Sequence, residues 1–160
     1  MRLAILSDTH IPTRLADIPA KVYEVCGDAD LVLHAGDHVR PDVIADLERV
    51  APVKAVQGNM DGPDLAHLPE RLCMDLEGFR VCMAHGSGAP FRLEKRVLSW
   101  FDDRDPDIVV FGHTHTYMEK TAGDTLVLNP GAVSARPGRR TMMELTLEKG
   151  RLPEVSRIGF

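Results

Sequence analysis

The chain has 160 residues, 44% of them apolar and 27% charged, and a net charge of -5. That length suits one domain, residues 1–160, able to bury a core without staples, and the composition excludes a disordered chain. The acidic balance excludes the basic footprint of a nucleic-acid binder, so a phosphate-bearing partner has to be captured locally by cations.

No apolar run approaches the roughly 20 residues of a membrane span. The run at Met1–Leu6 is too short for a signal peptide before Ser7 and Asp8. Three cysteines, Cys26, Cys73 and Cys82, with no CxxC pair, read as reduced, buried thiols in a soluble cytoplasmic protein.

In chain order, short apolar runs each end in a polar cluster. Residues 2–6 lead into Ser7-Asp8-Thr9-His10. A helix is predicted over 17–26, with Ile18, Val22 and Val25 on one stripe, Asp17 as N-cap and Pro19 in the first turn. Residues 31–35 lead into Gly36-Asp37-His38. A second helix is predicted over 41–50, with Val43, Ile44, Leu47 and Val50 on one stripe. Residues 53–57 lead into Gly58-Asn59-Met60-Asp61. Residues 71–77 and 79–84, split by Gly78, predict a hairpin ending at His85-Gly86. A third helix over 92–102 places Leu93, Val97 and Phe101 together. Residues 108–111 lead into Gly112-His113-Thr114-His115. Strands alone follow at about 116–121, 125–129, 139–147 and 153–158, the second running into Asn129-Pro130-Gly131. Continuous apolar strands mean burial on both faces, so the expected α/β architecture is two packed sheets with helices outside.

In open α/β sheets ligands bind beyond the carboxyl ends of the strands. Here Asp8, His10, Asp37, Asn59, His85, His113 and His115 all stand at that end. Seven such donors exceed what one tetrahedral ion takes and suit two ions sharing a carboxylate. Asp8/His10 and His113/His115 are i, i+2 pairs, which in extended backbone point the same way and can converge on one ion. The His, Asp and Asn mixture suits Mn, Fe, Co, Ni or Zn over Ca or Mg, with manganese the first expectation. Two such ions roughly 3.5–4 Å apart would clamp an in-line displacement at phosphorus and generate hydroxide from a shared water.

The order Asp-x-His, Gly-Asp, Gly-Asn-x-Asp, His-Gly, Gly-His-Thr-His resembles the calcineurin-like metallophosphoesterase superfamily. The short chain and the Ser-Asp-Thr-His and Asn-Pro-Gly segments are similar to its small bacterial and archaeal phosphodiesterases. Any one motif is weak; five in order, spanning residues 8–131, are specific. The resemblance implies a four-layer α-β-β-α sandwich of two mixed sheets flanked by helices. It implies that Asp8, His10 and His115 hold one metal, that Asp37 bridges, and that Asn59, His85 and His113 hold the other. Asp37, Asn59 and His85 are then the catalytic residues, and a small phosphate ester is the substrate, a diester ahead of a monoester.

Two positions depart from the family pattern. Met60 stands where many relatives carry a histidine, and a thioether can neither donate a proton nor stabilise charge. The run after Asp37 is His38-Val39-Arg40, which alters only the surroundings of that carboxylate. The retromer scaffold subunit, a binding protein on the same fold, is a rival model, but its metal positions are degraded and here every one is filled.

Other polar residues carry plainer expectations. His34, inside an apolar strand, reads as a hydrogen-bonded core histidine; His38 is open between lining the site and orienting a donor. His67 reads as an exposed loop residue, and Asp61 as a turn or support residue. Thr9 and Thr114 should point away from the ions. Arg14, Arg40, Arg136, Arg139 and Arg140 read as solvated charges, Arg136 being the nearest to a substrate role. Trp100 fits either packing on a sheet or a subunit contact, and a homo-oligomer stays open.

Overall fold

The computed structural model describes all residues, 1–160. Its elements are β1 Arg2–Leu6, α1 Ala20–Gly27, β2 Leu31–His34, α2 Asp42–Glu48, β3 Val53–Ala55, a 3-10 turn at Pro63–Leu65, β4 Arg71–Leu76, β5 Phe79–Ala84, α3 Leu93–Ser99, β6 Ile108–Phe111, β7 Tyr117–Ala122, β8 Thr125–Pro130, β9 Thr141–Thr146 and β10 Glu154–Gly159. One sheet has the order β10-β9-β1-β2-β3 and the other β4-β5-β6-β8-β7. In the first, β1, β2 and β3 are parallel and β9 and β10 are added antiparallel. In the second, β5, β6 and β8 are parallel, with β4 and β7 antiparallel at the edges.

Side-chain alternation explains why the strands are apolar on both faces. Leu3, Ile5, Leu33 and Leu145 of the first sheet meet Val81, Met83, Val110 and Leu128 of the second in the central seam. Their neighbours Ala4, Leu6 and Val32 face outward and are covered by Val22 and Val25 of α1 and Val43 and Leu47 of α2. On the far side Cys82, Ala84, Val109 and Phe111 are covered by Leu93 and Val97 of α3 and by Phe101 beyond it. The layers are therefore helix, sheet, sheet, helix, as the resemblance implied. Burying eight such side chains in the seam contributes on the order of 12–24 kcal/mol before chain entropy.

The helices are shorter than the apolar stripes predicted. Pro19, not Asp17, occupies the N-cap of α1, and α3 starts after Arg92, which has a positive φ of 52°. The 3-10 turn was not anticipated; its Leu65 is fully buried beneath the loop after β3. No helix is long and apolar enough to cross a membrane.

The expectation of three reduced thiols is overturned for two of them. Cys73 and Cys82 lie directly opposite each other on β4 and β5, with Cα atoms 4.1 Å apart, and form a disulfide. Only Cys26 is free, on the buried face of α1. The cysteines therefore no longer argue for a reducing compartment.

Candidate metal centre

The parallel strands end together, and their following loops carry the donors. β1, β2 and β3 deliver Asp8, His10, Asp37 and Asn59 from one sheet; β5 and β6 deliver His85, His113 and His115 from the other. Asp8, His10 and His115 bring donor atoms within 4.8 Å of one another, and so do Asp8, Asp37 and His85. Asp8 is thus common to both groups. Asp37 Oδ2 also reaches across them, 3.5 Å from His10 Nε2 and 3.2 Å from His85 Nε2. Asn59 and His113 pair at the outer edge, Oδ1 to Nδ1 2.9 Å, and the His113 ring stands edge-on to His85 at 5.3 Å between centroids. All seven sequence-predicted donors therefore gather in one place.

The convergence arises differently from the extended-backbone argument. Asp8, His10, Asp37, His113 and His115 all have positive φ, between 49° and 66°. Non-glycine residues pay of order 1–3 kcal/mol each for such backbone, a cost typical of functional sites held by their surroundings. Here the restraint is a cross-linked set of loops. Asp8 N donates to Gly36 O at 3.0 Å, His10 N to Asp37 O at 3.0 Å, and Gly112 N to His85 O at 3.0 Å. Gly58 allows the closest approach among the donor loops: a Cβ there would sit 2.1 Å from Asp37 N, and at Gly36, with its φ of 89°, one would sit 2.7 Å from His85 Nδ1.

Supporting contacts set which atom of each donor is free. Carbonyls only accept, so His85 Nδ1 donates to Ala35 O (2.6 Å), leaving Nε2 to face the carboxylates. By the same logic His113 Nε2 donates to Gly88 O (2.8 Å), which in the neutral ring leaves the Nδ1 lone pair 2.9 Å from Asn59 Oδ1, two acceptors side by side as two donors to one cation would stand. Gly88 is itself held, because the Arg96 guanidinium of α3 donates to Ser87 O (3.1 Å), Phe91 O (2.9 Å) and Ala89 O. Arg14 Nη1 donates to His115 Nδ1 at 3.1 Å, which in the neutral ring puts the proton on Nε2; binding a cation through Nε2 requires that contact to open.

Asp8 Oδ2 accepts from His113 N (3.1 Å) and lies 2.7 Å from Ser7 Oγ. Asp37 Oδ1 accepts from Met60 N at 2.8 Å. Asp61 accepts from Val39 N and Gly58 N, both 2.7 Å, and from His38 Nδ1 at 3.0 Å, so it pins the loops that carry Asp37 and Asn59. His38 thus orients a support residue and does not face the donors. His34 stacks on it at 3.8 Å and meets Thr9 Oγ1 through Nε2 at 3.2 Å, a core histidine as expected. Thr114 Oγ1 accepts from Asn129 Nδ2 (3.1 Å), which also donates to Gly112 O (2.7 Å) and so braces the Gly-His-Thr-His turn. His67 is exposed, as expected.

Electrostatically the centre is short of positive charge. Asp8 and Asp37 are buried and no lysine or arginine pairs with either; only histidines approach them. Burial would raise the Asp8 pKa, but the imidazoles of His10, His115 and His85 set against it hold it well below the usual carboxylate range. Burial would lower the His85 pKa, but Asp37 and Asp8 outweigh it and push it up. Asp8 Oδ1 and His85 Nε2 are buried and make no well-aligned hydrogen bond, although His115 Nε2 lies 3.0 Å from the first and Asp37 Oδ2 3.2 Å from the second. Buried carboxylates and orphaned lone pairs are costly unless a cation meets them. The residues present therefore fit divalent metal.

Two clefts flank the donors. One, of about 430 Å³, runs from Asn59 and His85 past Ser87 and Glu70 to Arg71 and Trp100. The other, of about 490 Å³, opens at His115 and is lined by Tyr117, Arg139 and Arg157. Sequence reasoning overlooked Ser7, Arg71, Arg96, Asn129 and Arg157 as parts of the site. Ser7 and Asn129 had a signal, in the Ser-Asp-Thr-His and Asn-Pro-Gly ends of two strands; the arginines act through tertiary contacts.

A double-sheet α/β fold with seven clustered oxygen and nitrogen donors defines the metallohydrolase class. Residues 1–150 match the calcineurin-like phosphoesterase superfamily domain, and the chain belongs to that family, which uses divalent metal ions. It is 38% identical over 133 residues, 82% of this chain and 77% of the other, to a probable metallophosphoesterase of Methanothermobacter thermautotrophicus. The solved structure of an archaeal phosphodiesterase superposes with a TM-score of 0.79 at 26% identity, covering 100% of both chains. Vps29 of Entamoeba histolytica, solved with bound zinc, superposes with a TM-score of 0.80 at 22% identity over 99% of each chain, a likeness of fold alone.

Proposed function

We propose that the chain is a phosphodiesterase working with two divalent metal ions. Asp8, His10 and His115 would hold one ion, Asn59, His85 and His113 the other, with Asp37 between them. The carrying observation is the overlap of two donor groups at Asp8, whose Oδ1, like His85 Nε2, is buried without a well-aligned hydrogen bond. Bound there, the ions would lower the pKa of a shared water and neutralise charge on the phosphoryl oxygens.

What the chain's own residues contribute is placement, which dominates phosphoryl transfer. Ala35 O and Gly88 O fix the proton positions of His85 and His113. Asp61 holds the Asp37 and Asn59 loops at a set separation. A diester has two organic arms, and the two clefts on opposite sides of the donors supply room for both. Met60, beside Asn59, is 52% exposed and carries no transferable proton, so departing oxygens leave unprotonated by this residue. Esters with acidic leaving groups are therefore expected to be turned over fastest.

The test compares bis-p-nitrophenyl phosphate with p-nitrophenyl phosphate in the presence of Mn, Ni, Zn or Mg, alongside metal content. Faster diester turnover with about two ions per chain is expected. Preference for the monoester favours the phosphomonoesterase reading. No metal uptake, even after supplementation, favours a scaffold.

A further inference from the structure

The two clefts differ in charge, and the difference says which arm of a substrate goes where. The cleft on the Asn59 and His85 side carries one arginine, Arg71, against Glu70 and Asp61. The cleft at His115 carries Arg139 and Arg157 and no carboxylate at all. This in a chain with five more acidic than basic residues is a local reversal of sign. The segment Ser134–Thr141 that forms its rim contains Arg136, Arg139 and Arg140 and no acidic residue.

Arg157 is held by its side chain, and Arg139 by the backbone turn that carries it. The Arg157 guanidinium lies over the Tyr117 ring at 4.9 Å, and the Tyr117 hydroxyl donates to Glu119 Oε2 at 2.9 Å, which fixes the ring. Gly138, with a φ of 78°, turns the loop directly before Arg139, and its N–H donates to Phe160 O at 3.2 Å. A guanidinium held over an aromatic ring can still turn its N–H fork to a planar or tetrahedral oxyanion. Neither Arg139 nor Arg157 spends that fork on a carboxylate of the chain.

We propose that the His115-side cleft is a subsite for a second phosphate on the substrate, bound by Arg139 and Arg157. The preferred diester then carries one arm ending in a phosphate, which docks past His115. The leaving arm lies in the opposite cleft toward Trp100. A phosphate suits the site better than a neutral sugar or base, because two unpaired guanidinium groups in one cleft repel each other until an anion joins them. This inference rests on the phosphodiesterase reading for its catalytic test and stands apart from it in its binding test.

The probes are thymidine 5′-(p-nitrophenyl phosphate) and the same ester carrying a 3′-phosphate. Nitrophenolate release reports only the diester bond. With manganese bound, the 3′-phosphate is expected to raise kcat/KM by about 10- to 100-fold, the size of one or two charge-assisted hydrogen bonds. In Arg139→Gln/Arg157→Gln the ratio should fall close to one, with each single variant in between and Arg71→Gln leaving the ratio as in wild type. Calorimetry with thymidine 3′,5′-bisphosphate against thymidine 5′-phosphate should show the same preference in binding and the same loss. A wild-type preference near one, or a preference that survives the double variant, overturns the subsite. If neither ester releases nitrophenolate, the phosphodiesterase reading fails, and the calorimetric ratio still decides the subsite.

Discussion

Asp61→Asn isolates the support of the centre from its donors. The substitution keeps the shape of the side chain and replaces one oxygen by an NH2 group. Asp61 Oδ1 accepts from Val39 N, and Oδ2 accepts from Gly58 N and His38 Nδ1. Whichever way the amide turns, its NH2 faces at least one backbone N–H that was a donor to a charged oxygen. Set toward Val39, the amide loses one such bond; set toward Gly58 and His38, it loses two. Each lost charge-assisted bond costs about 1.5–3 kcal/mol, so the better orientation predicts a loss of about 2–3 kcal/mol. Against a total stability of roughly 5–15 kcal/mol that is readily measured. The assay is urea unfolding followed by circular dichroism in excess EDTA, so that metal linkage does not enter. The expected result is a lower midpoint at unchanged m-value. A midpoint within error of wild type would refute the claim that this carboxylate bears load between the Asp37 and Asn59 loops.

Three further outcomes follow from the geometry. Asn59→Ala and His85→Ala should each lower manganese-supported diester turnover by at least about 100-fold while the far-ultraviolet spectrum is kept; wild-type rates in either variant would remove that residue from the second metal. Arg96→Met should weaken manganese binding at the Asn59, His85 and His113 site by about 10- to 100-fold, read by calorimetric titration against wild type, because Gly88 O is no longer fixed on His113. Burial pushes the Cys26 thiol up to about 12; a thiol reagent at pH 8 should find no reactive group in the native chain, one in urea, and three in urea with reductant.

Much of the centre was legible because its donors interrupt apolar strands. A carboxylate or imidazole directly after a buried strand has few structural reasons to be there, and six of them, with the Asn59 amide, point to one end of the sheets. The layer order was legible for the same reason, since strands apolar on both faces need two covers. The backbone of the donors was not legible. Asp8, His10, His113 and His115 look like extended i, i+2 pairs in sequence, yet their φ values are set by carbonyls such as Gly36 O on other loops. The disulfide could have been found. Leu76 pairs with Phe79 across the two-residue turn Glu77-Gly78, and that register places Cys73 opposite Cys82. Arg96 and Arg157 gave no signal, because their roles depend on where a distant loop or ring comes to rest. Arg139 was judged a solvated charge, and its setting in an acid-free cleft is visible only once Arg157 arrives beside it.

Four of the seven donors hang from one sheet and three from the other, with only side chains such as Leu3, Ile5, Met83 and Val110 between the two layers. The greasy middle of the sandwich is therefore also the gauge that spaces the two sets of donors. A slip of one layer over the other by even an ångström would be felt first at the ions, long before the fold came apart. Trimming a methylene from that interior, far from any polar group, should then detune metal affinity as surely as altering a histidine.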